Sequence, residues 1–189
     1  MEIFGLIITG IWIAFWAYWA ISALRTRSTF KRRQRCGPML LVLLAAVLAW
    51  AILASWLPAS LLQQQGIPDG VGAGLAGISV TILGLGLAVW ARVHLGKNWS
   101  ARPAIQVDHK LIRTGPYRFV RNPIYTGLLV GYAGTAIVIG ALWAFILILF
   151  VLVAFLGKIW AEEKFLLEEF GEAYKEYRRK VKALIPFLV

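Results

Sequence analysis

Long apolar stretches constrain this chain more than any other feature of its sequence. Residues 3–24 hold no charged side chain and are long enough to cross about 30 Å of hydrocarbon as one helix. Four more stretches are similarly apolar: 39–57, 71–91, 123–139 and 141–160. Only 15% of all residues are charged, against about 25% in ordinary soluble domains. These stretches predict an all-α integral membrane protein with about five transmembrane helices, folded as a single domain over 1–189.

The last two apolar stretches are separated by little more than Gly140, which predicts a tight helical hairpin. Beyond it, residues 161–180 place large apolar side chains on one helix face among many charges: Phe165, Leu166, Phe170 and Tyr174. This pattern is typical of an amphipathic helix that lies on the membrane surface. Gly171 is the expected break in it.

Basic residues indicate how the chain is oriented. All twenty lysines and arginines lie in three groups, 25–35, 92–121 and 158–182. Cytoplasmic loops of membrane proteins collect such residues, so we expect all three groups in the cytoplasm and the N-terminus outside. A net charge of +11 is also typical of nucleic-acid binding, but the position of the groups between spans favours contact with membrane lipids and no nucleic-acid partner.

One polar, turn-rich segment, 94–127, lies between the apolar stretches. It contains both histidines and many helix-breaking residues: His94, His109, Pro103, Pro116, Pro123, Gly96, Gly115 and Gly127. Two histidines without a nearby cysteine make no metal site that we would predict. We expect residues 1–91 to supply N-terminal helices and 92–189 to bind a polar ligand. At the membrane edge, Glu162 and Glu163 are either functional or a helix-end salt bridge.

Several motifs occur together in a fixed order: N-W-S at 98–100, H-K-L-I at 109–112, G-P-Y-x-x-x-R-N-P-x-Y-x-G at 115–127, E-E-x-x-L-x-x-x-F-G-x-x-Y-x-x-Y at 162–177 and I-P at 185–186. Together they resemble the isoprenylcysteine carboxyl methyltransferases, whose wider relatives are the membrane phospholipid methyltransferases. The resemblance covers about residues 94–187, which includes the whole polar segment.

The resemblance implies an S-adenosylmethionine-dependent methyltransferase without a Rossmann domain, its cofactor held at the cytoplasmic side. Four residues would border that cofactor, largely through their backbone: His109, Lys110, Leu111 and Ile112. Five more would enclose it: Tyr117, Asn122, Pro123, Ile124 and Tyr125. Glu162 would meet its polar end.

Two positions depart from the family pattern. Asn122 stands where the family most often has a histidine, and asparagine cannot become cationic. Lys158 is the nearest match to an arginine found shortly before the glutamates in eukaryotic members. Lysine keeps the charge of that arginine but loses the planar fork that suits a carboxylate.

Transfer of a methyl group from a sulfonium to a carboxylate removes two opposite charges, so a water-poor pocket beside the bilayer favours it. We expect Arg121, Lys158 and Glu163 to act in catalysis. Glu162 would pair with the ammonium of the cofactor, and Arg121 or Lys158 would attract the anionic group of the acceptor. Glu163 would orient one of these cations.

The first choice of acceptor is a lipidic or prenylated carboxylate that enters sideways from the bilayer. A carboxylate is ionised at neutral pH and needs no base. The alternative is a phospholipid amine, as in phosphatidylethanolamine N-methylation, which needs Glu163, His109 or a tyrosine as base. A non-catalytic lipid-binding or scaffold protein is the third interpretation. The oligomeric state stays open.

Overall fold

A computed structural model describes residues 2–25, 30–33, 48, 51–52, 55–62, 64–67, 70–96, 104–106 and 111–185. Its helices are α1 (Glu2–Arg25), α2 (Ala59–Leu62), α3 (Val71–Leu95), α4 (Pro123–Ile139), α5 (Leu142–Phe170) and α6 (Glu172–Lys180). A 3-10 helix spans Gly115–Arg118, and two short strands are β1 (Phe30–Arg33) and β2 (Ala104–Gln106). The mainly helical class predicted from the sequence is confirmed.

Three of the described helices, α1, α3 and α5, are long and apolar enough to cross a membrane, and α4 is a shorter apolar helix. The predicted spans 3–24 and 71–91 correspond to α1 and α3. The predicted hairpin is present, because α4 and α5 are joined through Gly140, which has a φ of 70°. The predicted span 39–57 lies largely outside the described residues, so the count of five stays a prediction.

Glycines bring α3 and α4 into backbone contact. A Cβ placed on Gly84 would lie 2.4 Å from the backbone N of Gly131, and one on Gly134 would lie 2.5 Å from that of Thr81. The Thr81 hydroxyl donates to the carbonyls of Gly77 and Gly131, at 2.9 and 3.3 Å. Small residues at helical spacing allow such close approach in membranes.

Helix α1 runs in the same direction as α3. Phe4, near its start, lies against Gly74, and the carbonyl of Ser22, near its end, accepts a hydrogen bond from Arg92 at 3.1 Å. A buried apolar cluster joins the long helices: Phe15, Leu85, Ala88, Leu128 and Phe155. Helices α1 and α3 are therefore parallel.

One end of the bundle carries most of the described charges. It is formed by the ends of α1, α3 and α5, the start of α4, and α6, and we call it the polar end. At the opposite end, the N–H of Gly66 donates to the carbonyl of Gly140 at 2.7 Å. The described members of the three basic groups therefore share one end. Which side of the membrane this end faces stays a prediction.

Two features differ from the sequence expectation. Residues 161–170 do not begin a separate surface helix but continue α5, which is 29 residues long and ends before Gly171 at a φ of 50°. Charges begin at Lys158, yet the residues that follow are strong helix formers, so polarity changes without a helix break. The second difference is an antiparallel pairing of β1 with β2, which joins the basic loop to the polar segment.

Candidate functional site

Two consecutive glutamates of α5 face two residues at the start of α4. Successive residues of a helix point about 100° apart, so adjacent carboxylates reach different neighbours. Glu162 meets Tyr125, and Glu163 meets Arg121. Because Arg121 and Tyr125 are four residues apart, both contacts lie along one edge between the two helices. The predicted membrane-edge pair is therefore the main connection between α5 and the turn before α4.

The Arg121 and Glu163 side chains form a buried ion pair. Oε1 of Glu163 accepts from Nε of Arg121 at 2.8 Å and lies 2.7 Å from its Nη2. Both side chains are less than one tenth exposed. The other oxygen of Glu163 lies 3.5 Å from Nε of Arg178 on α6. Two cations thus offset the cost of burying this carboxylate.

Glu162 belongs to a second, less buried cluster. Its Oε1 lies 2.9 Å from Nζ of Lys158, one turn earlier on α5. The Tyr125 hydroxyl donates to both carboxylate oxygens, at 2.9 and 3.1 Å. The Tyr125 ring packs 5.0 Å from that of Phe155, which fixes the phenol relative to α5. A carboxylate, a cation and a phenol therefore meet at the polar end, with a quarter of the Glu162 side chain exposed.

The turn around Gly115 packs against the end of α3. A Cβ on Gly115, whose φ is 60°, would lie 2.7 Å from the His94 ring, so only glycine fits there. His94 in turn contacts the Thr114 hydroxyl at 2.9 Å. The Tyr117 hydroxyl donates to the carbonyl of Ala91 at 3.4 Å. This packing fixes the segment predicted to enclose the cofactor.

The other predicted cofactor residues have different settings. Leu111 and Ile112 are half-buried, and His109 and Lys110 lie outside the described residues. Pro123 is buried as the first residue of α4. Ile124 packs against the apolar cluster. These two residues shape the start of α4.

Residues 181–184, which we call the C-terminal strap, run beside the turn before α4. The N–H of Arg121 donates to the carbonyl of Lys182 at 2.8 Å, and that of Asn122 donates to Ala183 at 3.0 Å. The side-chain amide of Asn122 donates to the same carbonyl of Ala183 at 3.2 Å. Apart from the I-P motif that follows it, no sequence pattern predicts the strap, since backbone groups make most of these bonds.

Three buried tyrosines lie at the polar end: Tyr117, Tyr174 and Tyr177. Burial raises the pKa of Tyr177 to about 12. It also raises the pKa of Tyr117, with further contributions from the charges of Tyr177 and Glu162, and the pKa of Tyr174, with a further contribution from Glu163. All three phenols are therefore neutral at physiological pH. None of them is a base there.

The chain is similar to several known proteins. The family described as phospholipid methyltransferase matches residues 73–173, which include both glutamates. The chain is 35% identical over 109 residues to a protein-S-isoprenylcysteine O-methyltransferase of Schizosaccharomyces pombe, covering 56% of this chain and 46% of that protein. It is 34% identical over 115 residues to a probable protein-S-isoprenylcysteine O-methyltransferase of Oryza sativa, covering 59% and 60%.

A solved structure is similar as well. It is the eukaryotic intramembrane Ras methyltransferase, an isoprenylcysteine carboxyl methyltransferase, with a TM-score of 0.57 and 25% identity. The match covers 82% of this chain and 54% of that one. The chain thus spans between 46% and 60% of the length of these relatives.

Proposed function

The chain belongs to the phospholipid methyltransferase family, and from this premise we propose that it is an S-adenosylmethionine-dependent methyltransferase of the membrane. Its acceptor would be the carboxylate of a prenylated cysteine or a similar lipidic molecule. The observation that carries the proposal is the Glu162 carboxylate, held by Tyr125 and Lys158 at the polar end. This is an anionic group with fixed geometry, next to a cation that suits an anionic acceptor.

The residues at this cluster fit the amino-acid part of S-adenosylmethionine. Glu162 is positioned to pair with its ammonium, and the Tyr125 hydroxyl keeps the carboxylate oriented through bonds to both oxygens. When bound, the cofactor supplies a methyl group on a sulfonium. The backbone of 109–112 and the side chains of Tyr117 and Asn122 form the remaining walls in this proposal. Most of the rate then comes from the alignment of acceptor oxygen, methyl and sulfur.

We assign Lys158, not Arg121, to the carboxylate of the acceptor. Arg121 is engaged by Glu163 and by carbonyls of the chain, so its fork is already used. Among the described residues, the ion-pair partner of Lys158 is Glu162. An ammonium that pairs with Glu162 would weaken this contact and make the Lys158 charge available to an acceptor. The lysine provides a point charge rather than a bidentate fork.

The geometry favours a carboxylate acceptor over an amine. An ammonium must lose a proton before it can attack, so N-methylation needs a base. The raised pKa values of Tyr117, Tyr174 and Tyr177 remove these phenols as bases at neutral pH. Glu163 is paired with two arginines. His109, the remaining base named from the sequence, lies outside the described residues. Carboxyl methylation needs no base at all.

Orientation and access complete the proposal. The shared end of the basic groups would face the cytoplasm, with the N-terminus outside, because lysine and arginine mark cytoplasmic loops. The acceptor would enter sideways from the bilayer, since the Glu162 cluster lies at the end of the apolar part of α5. Membrane lipids are the other expected partners.

Isothermal titration of the detergent-purified protein with S-adenosylhomocysteine tests the proposal. We expect micromolar binding, and a loss of about tenfold or more in Glu162→Gln, since a charge-assisted bond would become a neutral one. Glu172→Gln is the matched control, because the partners of that exposed carboxylate among the described residues lie within α6. If the well-folded protein gives no heat and no thermal shift with S-adenosylhomocysteine, the methyltransferase proposal is wrong. A scaffold protein would then be the better interpretation.

The acceptor is then identified by methyl transfer to farnesylcysteine and to phosphatidylethanolamine in the same micelles. We expect transfer to farnesylcysteine with little loss of rate between pH 8 and pH 6. Even pH 6 is about two units above the pKa of a carboxyl group, so the acceptor stays ionised over this range. Transfer to phosphatidylethanolamine with a steep acid-side loss would instead identify an amine acceptor.

A further inference from the structure

We infer that Arg121 is a positioning residue that locks the C-terminal strap onto the turn before α4 and so fixes that turn for cofactor binding. The functional part of this inference rests on the proposed methyltransferase activity. Its structural part, the dependence of the strap on Arg121, can be tested without any ligand.

The Arg121 guanidinium joins three parts of the chain. Nε and Nη2 bind Glu163 on α5, at 2.8 and 2.7 Å. Nη1 donates to the carbonyl of Arg178, near the end of α6, at 3.2 Å and to the carbonyl of Val181, the first residue of the strap. A planar cation with donors on several sides is required for this arrangement. The compact ammonium of a lysine cannot make these bonds together.

The strap holds the turn through further bonds. Besides the backbone bonds to Arg121 and Asn122, the Thr126 hydroxyl donates to the carbonyl of Leu184 at 2.7 Å. The Leu184 side chain is only 3% exposed, so it anchors the end of the strap in the protein. The turn between these points leads directly to Tyr125. A shift of the strap would therefore move the hydroxyl that orients Glu162.

Helix α6, which precedes the strap, is also fixed to the polar segment. The Tyr177 hydroxyl donates to the carbonyl of Tyr117 at 2.5 Å. Arg113 donates to the carbonyl of Ala173 at 2.6 Å. The strap thus starts from a helix that contacts the predicted cofactor wall. At the end of α6, Arg121 binds the carbonyls of Arg178 and Val181 and joins them to Glu163.

Hydrogen exchange measured by mass spectrometry tests the structural part. The amides of Arg121 and Asn122 donate to strap carbonyls, so their exchange reports opening of the strap. We expect Arg121→Lys and Thr126→Val each to speed exchange of the 121–122 amides by about tenfold. Thr126→Ser keeps the hydroxyl and Glu172→Gln lies away from the strap, so both should exchange as the unchanged protein does. Unchanged exchange in Arg121→Lys would overturn the inference.

Titration and kinetics on the same variants test the functional part. We expect Arg121→Lys and Thr126→Val to weaken S-adenosylhomocysteine binding by about tenfold, as small displacements of a site do, with Thr126→Ser restoring it. A raised KM for the acceptor with unchanged cofactor affinity would mean that Arg121 contacts the acceptor, and would overturn the inference. If the unchanged protein binds no S-adenosylhomocysteine, the proposed function fails, and exchange alone decides whether Arg121 holds the strap.

Discussion

Where α3 packs against α4, the two backbones touch through glycines and one threonine, whereas at the polar end ionised and phenolic side chains join α5, α6 and the strap. In the first region contact depends on the absence of side chains. In the second it depends on particular donors and acceptors. The first arrangement suits lipid, where van der Waals packing drives helix association. The second suits the membrane edge, where a ligand can exchange partners with the protein.

The two regions should therefore fail in different ways. A side chain added between α3 and α4 meets backbone atoms, which cannot move aside, and the fold should be lost. A change at the polar end leaves the helices packed but removes partners from buried groups. The loss of stability should be larger where the changed group is more deeply buried.

The largest effect is expected from Gly84→Leu. A Cβ at this position would lie 2.4 Å from the N of Gly131 and 2.6 Å from the carbonyl oxygen of Gly127. We expect no folded, monodisperse protein on size-exclusion chromatography in detergent. Gly86→Leu is the matched control on the same helix, because a Cβ there meets nothing within 4 Å. Equal behaviour of the two variants would show that the backbone contact is not needed.

A smaller but clear loss of stability is expected from Glu163→Gln. Removing one partner of a buried ion pair costs about 3–5 kcal/mol, because the other charge is left uncompensated. Denaturant unfolding in micelles measures this loss. The exposed Glu172→Gln should cost less than about 1 kcal/mol. A double variant that also replaces Arg121 with methionine should cost less than the sum of both single changes. Additive costs would contradict direct pairing.

A functional effect without a stability effect is expected from Tyr125→Phe. The ring keeps its packing on Phe155, while the two bonds to Glu162 are lost. Since the Glu162 side chain is partly exposed, water can replace the phenol, and the melting temperature should hardly change. Affinity for S-adenosylhomocysteine should fall by about ten- to a hundredfold, since a hydrogen bond to a charged group contributes about 1.5–3 kcal/mol. A lower melting temperature with unchanged affinity would place Tyr125 among the structural residues only.

The smallest effect is expected from alkaline pH. Burial raises the pKa of Tyr177 to about 12, above the ordinary value of about 10. Above pH 10 the unfolded chain loses this proton first, so the free energy of unfolding falls as pH rises, by at most about 1.4 kcal/mol per unit. Below pH 10 the contribution of this proton to the free energy of unfolding does not change with pH. Thermal unfolding between pH 8 and pH 11 measures the slope, and Tyr177→Phe should reduce it. An equal slope in that variant would assign the loss to other groups.

The sequence predicted the parts of this molecule that follow from local pattern. Gly140 predicted the hairpin of α4 and α5. The adjacent Glu162 and Glu163 predicted a candidate site but not its partners. Each of these signals lies in neighbouring residues of one element.

Other features depend on contacts between distant residues. The strap binds through the backbone carbonyls of its residues 181–184. Every residue has such a carbonyl, so the residue types do not reveal these bonds. Pairing of β1 with β2 joins segments far apart in the chain and has no local signal. For the same reason, the sequence did not decide whether Arg121 or Lys158 attracts the acceptor. The partners of Arg121 on α5, α6 and the strap become visible only in three dimensions.

The unbroken course of α5 has a consequence for the membrane around it. From Leu142 to Glu162 the helix rises by about 30 Å, which is close to the thickness of the hydrocarbon layer. The carboxylate pair therefore lies one bilayer core away from the hairpin turn. Lipids with shorter or longer acyl chains would tilt α5 or carry Glu162 below or above the headgroup boundary. The distance between the carboxylate pair and the hairpin turn is set by the number of residues in one helix.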